Sequence, residues 1–153
     1  MEIMIRRNWW GKFLIYEDDN DDYSYYGHSR YAWGGRNICK IFNRRKEQVL
    51  YLKEGRLGKI RKPYDLSFLI KVINDNIDFE LQCVDYNSHW TFNINRDKFD
   101  LRSFDNHKKL FKNDNYVATY WTDHDYRRII KATQEIDKLI LISLATVFQI
   151  SNV

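Results

Sequence analysis

The last apolar segment of the chain constrains its fold more than any other feature. The stretch "EIDKLILISLATVFQI" contains no Gly or Pro, and its large apolar residues point in nearly all directions on a wheel of 3.6 residues per turn. A helix that is apolar on all sides is buried on all sides. Glu135 and Asp137 suit the N-terminal end of such a helix, where negative charge is favoured. We therefore predict a buried helix over about residues 135–149.

Two other structures for this segment fit less well. A membrane span needs about 20 apolar residues, whereas residues 139–150 are interrupted by Ser143, Thr146 and Gln149. A buried strand is disfavoured by the length of the segment and by its Leu and Ala content. The N-terminus, "MEIMIRRNWWGKF", has an acid at position 2 and lacks the apolar region of a signal peptide. We expect no transmembrane span.

The rest of the chain is typical of successive β-strands. Segments rich in β-branched and aromatic residues alternate apolar with polar positions, as in "FELQC" (79–83) and "HWTFNI" (89–94). Short connections rich in Asn and Asp separate them, and these residues favour turns. Such segments number about twelve, at roughly ten-residue spacing. A meander of this kind closes into a barrel or a sandwich.

Together these patterns predict one domain, residues 1–153, in the mainly β class. A helix of about 14 residues is about 21 Å long, close to the height of a barrel made of strands of about 6 residues. We therefore expect an antiparallel closed barrel of about twelve strands wrapped around the C-terminal hydrophobic helix. In lipocalin-like barrels, which "NWWGKF" faintly resembles, an amphipathic helix packs outside. Here the helix fills the lumen, so no large internal ligand cavity is expected.

The residue types that carry chemistry form no catalytic group. Cys39 and Cys83 lie in apolar, strand-like contexts without metal-binding spacing, which favours small buried hydrophobes, a reducing compartment and hence a cytoplasmic protein. His124 lies between two carboxylates in "TDHD", and a polar hairpin turn explains that pattern better than a metal or acid–base site. We expect no enzyme activity and no cofactor.

The acidic run "EDDNDDY" raises the question of calcium. With Asp18 at the first ligand position of an EF-hand loop, Tyr23 falls where glycine is required and Ser29 where the bidentate acid is required. The pattern therefore favours a solvated acidic loop over residues 17–22, and we expect no metal site.

The basic residues concentrate in one window of the chain. Residues 36–62 carry a net charge of +8, whereas the segments on either side are each net −2. Clustered cations attract anionic lipid, nucleic acid or an acidic protein. We do not expect nucleic acid, because no groove-reading helix or known motif is present. The alternative is a solvated face that the acidic loop at 17–22 partly neutralises.

The order of elements resembles the tubby C-terminal-like superfamily, which includes tubby proteins, phospholipid scramblases and the LURP-one-related proteins with their small bacterial relatives. The stretch "YAWGGRNICKIFNRRKEQVLYLKEGRLGKIRKPYDLSF" resembles a repeated pattern in which a basic, glycine-containing turn leads into a Tyr-acid-apolar strand, here Tyr64-Asp65-Leu66. "HWTFNI" resembles the Trp-x-Phe-x-Ile strand, and "NYVATYW…YRRIIKATQEIDKLILISLATVFQI" the closing strands with the core helix. "EDDNDDY" is extra to the pattern.

The resemblance implies a small single-domain member that binds anionic phospholipid headgroups at the membrane surface without catalysis. The alternative is a protein-interaction or structural module that docks an acidic partner. In both cases we expect contact through a shallow basic patch within residues 36–62. Its candidate residues are Arg44, Arg45, Lys46, Arg56, Lys59, Arg61 and Lys62.

Overall fold

The computed structural model describes residues 1–7, 11–32, 36–56, 66–85 and 88–151. These ranges contain twelve β-strands and one helix. The elements are β1 (Glu2–Arg7), β2 (Lys12–Glu17), β3 (Tyr25–Ala32), β4 (Arg36–Asn43), β5 (Gln48–Arg56), β6 (Leu66–Val72), β7 (Ile77–Asp85), β8 (His89–Ile94), β9 (Asp97–Phe104), β10 (His107–Lys112), β11 (Asn115–Thr122), β12 (Arg128–Ala132) and α1 (Lys138–Ser151). The prediction of a mainly β chain with a C-terminal helix is confirmed.

The strands close into a barrel. Each strand pairs antiparallel with its neighbours in sequence, and β1 pairs with β12, with Ile3 opposite Ile130 and Ile5 opposite Arg128. A closed sheet leaves no unpaired edge. The predicted antiparallel closed barrel is therefore the observed architecture.

The alternation of side chains explains why these segments form strands. In β8, Trp90, Phe92 and Ile94 are buried, while the residues between them are more exposed. Successive side chains of a strand point to opposite faces of the sheet, so one face of each strand supplies the core. Several turns use Asn or Asp with positive φ, for example Asn76 at 49° and Asn95 at 55°, since these residues tolerate the left-handed region.

The helix α1 lies inside the barrel. Residues 141–148 are all buried, and α1 contacts β1 and β12 on one side and β4, β5 and β6 on another. Near its C-terminus, the ring of Phe148 packs against those of Trp90 and Tyr120, with centroids 5.9 and 4.8 Å apart. The prediction of a core helix is confirmed, and its side chains fill the lumen.

The bounds of the helix differ from those predicted. It begins at Lys138 rather than near 135, because Asp137 is its N-cap: its carboxylate Oδ1 accepts a hydrogen bond from the Leu139 amide at 2.8 Å. It continues to Ser151, whose hydroxyl donates to the Val147 carbonyl at 2.6 Å. The sequence pattern located the helix, and the cap determined its first residue.

The alternating strand directions define two ends of the barrel. The N-rim, where α1 begins, contains the turns 18–24, 44–47, 73–76, 95–96 and 113–114, together with the connection 133–137. The C-rim, where α1 ends, contains Gly11, Ser88 and the turns 105–106 and 123–127. Successive turns therefore alternate between the two rims, and every second turn along the chain lies at the same rim.

The two cysteines differ in burial. Neither Cys39 nor Cys83 forms a disulfide; Cys39 is buried, and this burial raises the pKa of its thiol to about 12, whereas Cys83 is only half-buried. The expected buried hydrophobe therefore describes Cys39 better than Cys83.

Over the described residues, no helix combines the length and apolar character needed to cross a bilayer.

Candidate functional site

The two rims of the barrel differ in charge. At the N-rim, counting turns and the last two residues of each strand, acidic residues outnumber basic ones among the described residues. The acidic residues are Glu2, Glu17, Asp18, Asp19, Asp21, Asp22, Glu47, Asp75, Asp78, Asp97, Asp114, Glu135 and Asp137. The basic residues are Arg44, Arg45, Lys46, Lys71, Arg96, Lys98, Lys112 and Lys131, with Lys138 at the start of α1.

At the C-rim the balance is reversed. By the same count, its basic residues are Arg6, Arg7, Lys12, Arg36, Arg56, Lys108, Arg127 and Arg128, the positions of Arg36 and Arg56 being those of their backbones. The acidic residues of the described C-rim are Asp85, Asp105, Asp123 and Asp125. The described part of the barrel is therefore acidic at one end and basic at the other.

This topology separates the candidates predicted from the sequence. Arg44, Arg45 and Lys46 form the β4–β5 turn at the N-rim, whereas the backbone of Arg56 ends β5 at the C-rim. Nine residues of strand span about 27 Å between the two positions. Lys59, Arg61 and Lys62 lie outside the described residues. The structure thus does not bring the described candidates together in one patch.

Arg44 is already paired with the acidic loop. Its guanidinium lies 2.8 Å from the Asp22 carboxylate and 5.5 Å from the centre of the Tyr23 ring. The acidic loop and the β4–β5 turn together line a cleft with a volume of about 650 Å³. Partial neutralisation by the acidic loop, the alternative that the sequence left open, therefore describes Arg44, although Arg44 is exposed like Arg45 and Lys46.

The C-rim presents less fully paired cations. Arg6 and Arg7 are exposed at the end of β1, and the ion pairs of the described residues include neither of them. The two arginines line a cleft with a volume of about 430 Å³ beside the C-terminus of α1, together with Tyr126, Arg128 and Gln149. A helix C-terminus carries partial negative charge, which favours these cations where they stand.

The β11–β12 hairpin at this rim is internally paired. Arg127 contacts Asp123 through Nε at 2.7 Å and Asp125 through Nη2 at 3.2 Å. Desolvation alone raises the pKa of Asp123, but hydrogen bonds from the amides of Arg127 and Asp125 and from the Arg127 side chain hold that pKa below its ordinary value. The charge of Arg127 is therefore compensated within the hairpin, and its pairing holds the exposed tip in place.

A second concave site at the C-rim opens between the β9–β10 turn and the β11–β12 hairpin. It has a volume of about 320 Å³, and its lining includes Ser103, Lys108, Tyr120, Thr122 and Arg128. Lys108 is the cross-strand partner of both Ser103 and Tyr120, and Arg128 is that of Thr122. Directly opposed residues share a face of the sheet, so these five side chains lie on the inner face of the barrel mouth.

Hydrogen bonds fix the two cations of this site. Lys108 Nζ donates to the Ser103 hydroxyl at 2.8 Å and lies 5.4 Å from the centre of the Phe148 ring. Arg128 Nη1 donates to the hydroxyls of Tyr120 at 3.2 Å and Thr122 at 2.9 Å. Burial lowers the pKa of Lys108, and the like charge of Arg128 lowers it further, against an opposite contribution from Cys83. The ammonium is therefore poorly solvated and close to a second cation.

The other sequence motifs form no such site. His124 is exposed on the β11–β12 hairpin, 3.5 Å from Asp125, as expected for a polar turn. In the acidic loop, Asp18 accepts a hydrogen bond from the Glu2 amide at 2.9 Å, and Asp22 pairs with Arg44. Within the described residues, no three His, Cys, Asp or Glu side chains are grouped as metal ligands are.

Sequence reasoning missed the cations of the C-rim because they are scattered along the chain. Arg6, Arg7, Lys108 and Arg128 lie far from the basic window of residues 36–62. One signal was nevertheless present: in a meander, every second turn lies at the same end. Sorting the charges by alternate turns assigns "NRRK" and the connection after Arg56 to opposite ends and indicates the basic rim.

Comparison with known proteins finds no matching family model, no similar curated protein and no similar solved structure. The tubby-like resemblance therefore stays a prediction. The fold itself rests on the strand pairing and on the burial of α1.

Proposed function

We propose that this protein is a non-enzymatic binding module that docks its C-rim on membranes containing anionic phospholipids. The observation that carries the proposal is the sorting of charge between the two ends of the described barrel. The ligand is the anionic phospholipid expected from the basic window of residues 36–62. The contact surface is instead the C-rim, where the fold brings together basic residues from distant parts of the chain.

The magnitude of the attraction supports this ligand. Near an anionic surface each Lys or Arg contributes about 1 kcal/mol, and the attraction falls off within a Debye length. Arg6, Arg7, Lys108 and Arg128 share one rim, so together they supply about 4 kcal/mol. The acidic N-rim is repelled by the same surface, so the barrel approaches with its C-rim foremost.

Exposed apolar side chains at the same rim also fit a lipid surface. Tyr126 is 85% exposed at the tip of the β11–β12 hairpin, and Phe104 and Val84 are exposed at the ends of β9 and β7. Aromatic side chains favour the interface between headgroups and hydrocarbon. At the N-rim, Met1 and Ile73 are exposed as well.

The architecture agrees with the tubby-like resemblance, and we propose that the chain is a small member of that superfamily. Its support is a closed antiparallel barrel with a buried C-terminal helix. Binding needs no inserted helix, because α1 is committed to the core. The module would then act peripherally at the membrane surface.

Sedimentation with vesicles tests the proposal. We expect the protein to bind vesicles of phosphatidylserine or phosphoinositide in phosphatidylcholine, not phosphatidylcholine alone, and to lose binding steeply between low and moderate salt. Replacing Arg6 and Arg7 by Glu weakens binding at least about thirtyfold, since two cations contribute about 2 kcal/mol.

The matched control carries the same charge change at the other rim. Arg45 and Lys46 are exposed in the β4–β5 turn, so replacing both by Glu should leave vesicle binding nearly unchanged. Equal losses in the two variants would contradict docking by the C-rim. Equal sedimentation with anionic and neutral vesicles would reject the lipid proposal and favour an acidic protein as the partner.

A further inference from the structure

We infer that the concave site at the C-rim lined by Ser103, Lys108, Tyr120, Thr122 and Arg128 binds a single phosphate group. The inference deepens the proposed function and rests on it, because it assigns one chemical group and one set of side chains to anion binding at this rim.

The strand register builds the site. Ser103, Lys108 and Tyr120 stand side by side on β9, β10 and β11, and Arg128 on β12 lies opposite Thr122. The four strands thus present a hydroxyl, an ammonium, a phenol and a guanidinium along one stretch of the barrel mouth. Because these positions are fixed by pairing, the donors are held in place before any ligand arrives, which lowers the entropic cost of binding.

The helix closes the site from below. The ring of Phe148 lies beneath Lys108 Nζ, at 5.4 Å from its centre, and packs against Tyr120. Phe148 is itself fully buried. The floor is therefore apolar, and charged hydrogen bonds formed above it are stronger than those in bulk water.

The charge of Arg128 is not compensated by any carboxylate of the described residues. Its two bonds go to the neutral hydroxyls of Tyr120 and Thr122, and no described carboxylate lies within ion-pair distance of its guanidinium. Burial lowers the pKa of Lys108, and the nearby charge of Arg128 lowers it further, against an opposite contribution from Cys83; an oxyanion bound near both cations would offset their repulsion and favour the charged ammonium. Asp105 at the edge of the site is exposed on its turn.

The set of donors suits a tetrahedral oxyanion. The two bonds of Arg128 use Nη1, which leaves Nε and Nη2 as a fork for two oxygens of one phosphate. Lys108 adds a point charge from the neighbouring strand, and the hydroxyls of Ser103 and Thr122 can donate as well as accept. A phosphate group, with several charged oxygens, engages more of these donors than a carboxylate does.

Two sources carry this chemistry, namely the phosphomonoester of a lipid headgroup and free phosphate. An amide NMR titration of the full chain with inorganic phosphate, against chloride at the same ionic strength, tests the site directly. We expect saturable shifts in residues 103–108 and 120–128 and a loss of affinity of at least about tenfold in Lys108→Met, since a charged hydrogen bond is removed. Arg45→Met, which removes one cation from the N-rim, should bind phosphate as the original chain does.

A folded Lys108→Met protein is expected, because the substitution removes a poorly solvated charge and keeps an unbranched side chain only one atom shorter than that of Lys. Unchanged amide shifts outside the site establish this, and Arg128→Lys, which keeps the charge but removes the fork, provides a second test with a weaker loss of affinity. Phosphate affinity that survives in both folded variants would overturn the inference.

Vesicles containing phosphatidic acid, which exposes a phosphomonoester, separate the two sources and the two proposals. Preference for phosphatidic acid that Lys108→Met abolishes and free phosphate competes away supports the lipid source. Saturable, Lys108-dependent phosphate binding without vesicle binding supports the site with a soluble ligand and rejects membrane docking. Vesicle binding that falls in Lys108→Met by no more than about fivefold, the value of one cation near the surface, and that free phosphate does not compete away supports docking and rejects the phosphate site.

Discussion

The two rims of this barrel both consist of strand ends and turns, yet among the described residues their cations have different partners. At the N-rim, Arg44 faces Asp22 at 2.8 Å, and Lys138 faces Glu17 at 3.2 Å. At the C-rim, Arg128 donates to neutral hydroxyls, and Arg6 and Arg7 are exposed. A cation that is already paired has less to gain from an external anion. The comparison therefore favours the C-rim as the anion-binding end.

The helix inside the barrel has a matching asymmetry. Its N-terminus, which carries partial positive charge, lies at the acidic N-rim, and its C-terminus, which carries partial negative charge, lies at the basic C-rim. No acid in its first turn and no base in its last turn supplies this match, so the complementary charges come from the strand ends and turns. The charge of each rim thus stabilises the helix as well as setting what each rim attracts.

The largest effect on both rims is expected from disrupting α1, the helix that fills the barrel between them. Leu144 is fully buried at the middle of α1. Leu144→Asp places an unpaired charge in the core, at a cost of several kcal/mol, and we expect the protein to be largely unfolded. Circular dichroism and urea unfolding followed by tryptophan fluorescence measure the effect.

Leu144→Met is the control for that variant. It conserves apolar volume and should cost less than about 1.5 kcal/mol in the free energy of unfolding. If Leu144→Asp unfolds at the same urea concentration as the original chain, α1 is not the core of the barrel.

Much of this architecture follows from sequence pattern. The alternation in segments such as 89–94 predicts strands because a half-buried strand must bury every second residue. The all-round apolar character of residues 139–148 predicts a central helix because such a surface has no solvated side. The first residue of α1 depends on the Asp137 cap, whereas the preference for negative charge at a helix start suited Glu135 and Asp137 alike.

The candidate site was less predictable, for a physical reason. A run of charge is visible in one dimension, whereas a rim is assembled from residues far apart in the chain. Lys108 and Arg128 meet through the register of β10, β11 and β12, which depends on all the pairings together. The run at Arg44, Arg45 and Lys46 is conspicuous in the sequence, but the fold sets it at the acidic rim.

A smaller effect is expected from the cap at the N-rim. Asp137 accepts the hydrogen bond of the Leu139 amide at 2.8 Å and also suits the positive end of the helix. Asp137→Ala should cost about 1 kcal/mol in the free energy of unfolding, and Asp137→Asn less, because Asn also caps helices well. Urea unfolding of both variants checks the order.

The matched control is Glu135→Ala, since Glu135 is exposed and precedes the cap. It should change stability by less than about 0.5 kcal/mol. A loss for Glu135→Ala as large as that for Asp137→Ala would mean that general negative charge at the N-rim, rather than the cap, stabilises the start of α1.

The smallest effect concerns the pair that distinguishes the cations of the N-rim. The side chains of Arg44 and Asp22 are 59% and 61% exposed, and exposed ion pairs contribute about 0–1 kcal/mol. Asp22→Asn should therefore barely change the urea midpoint, because Asn keeps an oxygen that can accept the hydrogen bond now given by the Tyr23 amide.

The consequence of Asp22→Asn is electrostatic, because it removes the carboxylate that pairs with Arg44. In the variant with Arg6 and Arg7 replaced by Glu, adding Asp22→Asn should recover anionic-vesicle binding by no more than about fivefold at low salt, the value of one cation near the surface. Asp75→Asn, at another turn of the same rim, removes the same charge without freeing Arg44 and should recover less. A recovery to the level of the original chain would mean that the N-rim, once unmasked, binds membranes as well as the C-rim does, and the contrast between the two rims would then lie in the acidic loop alone.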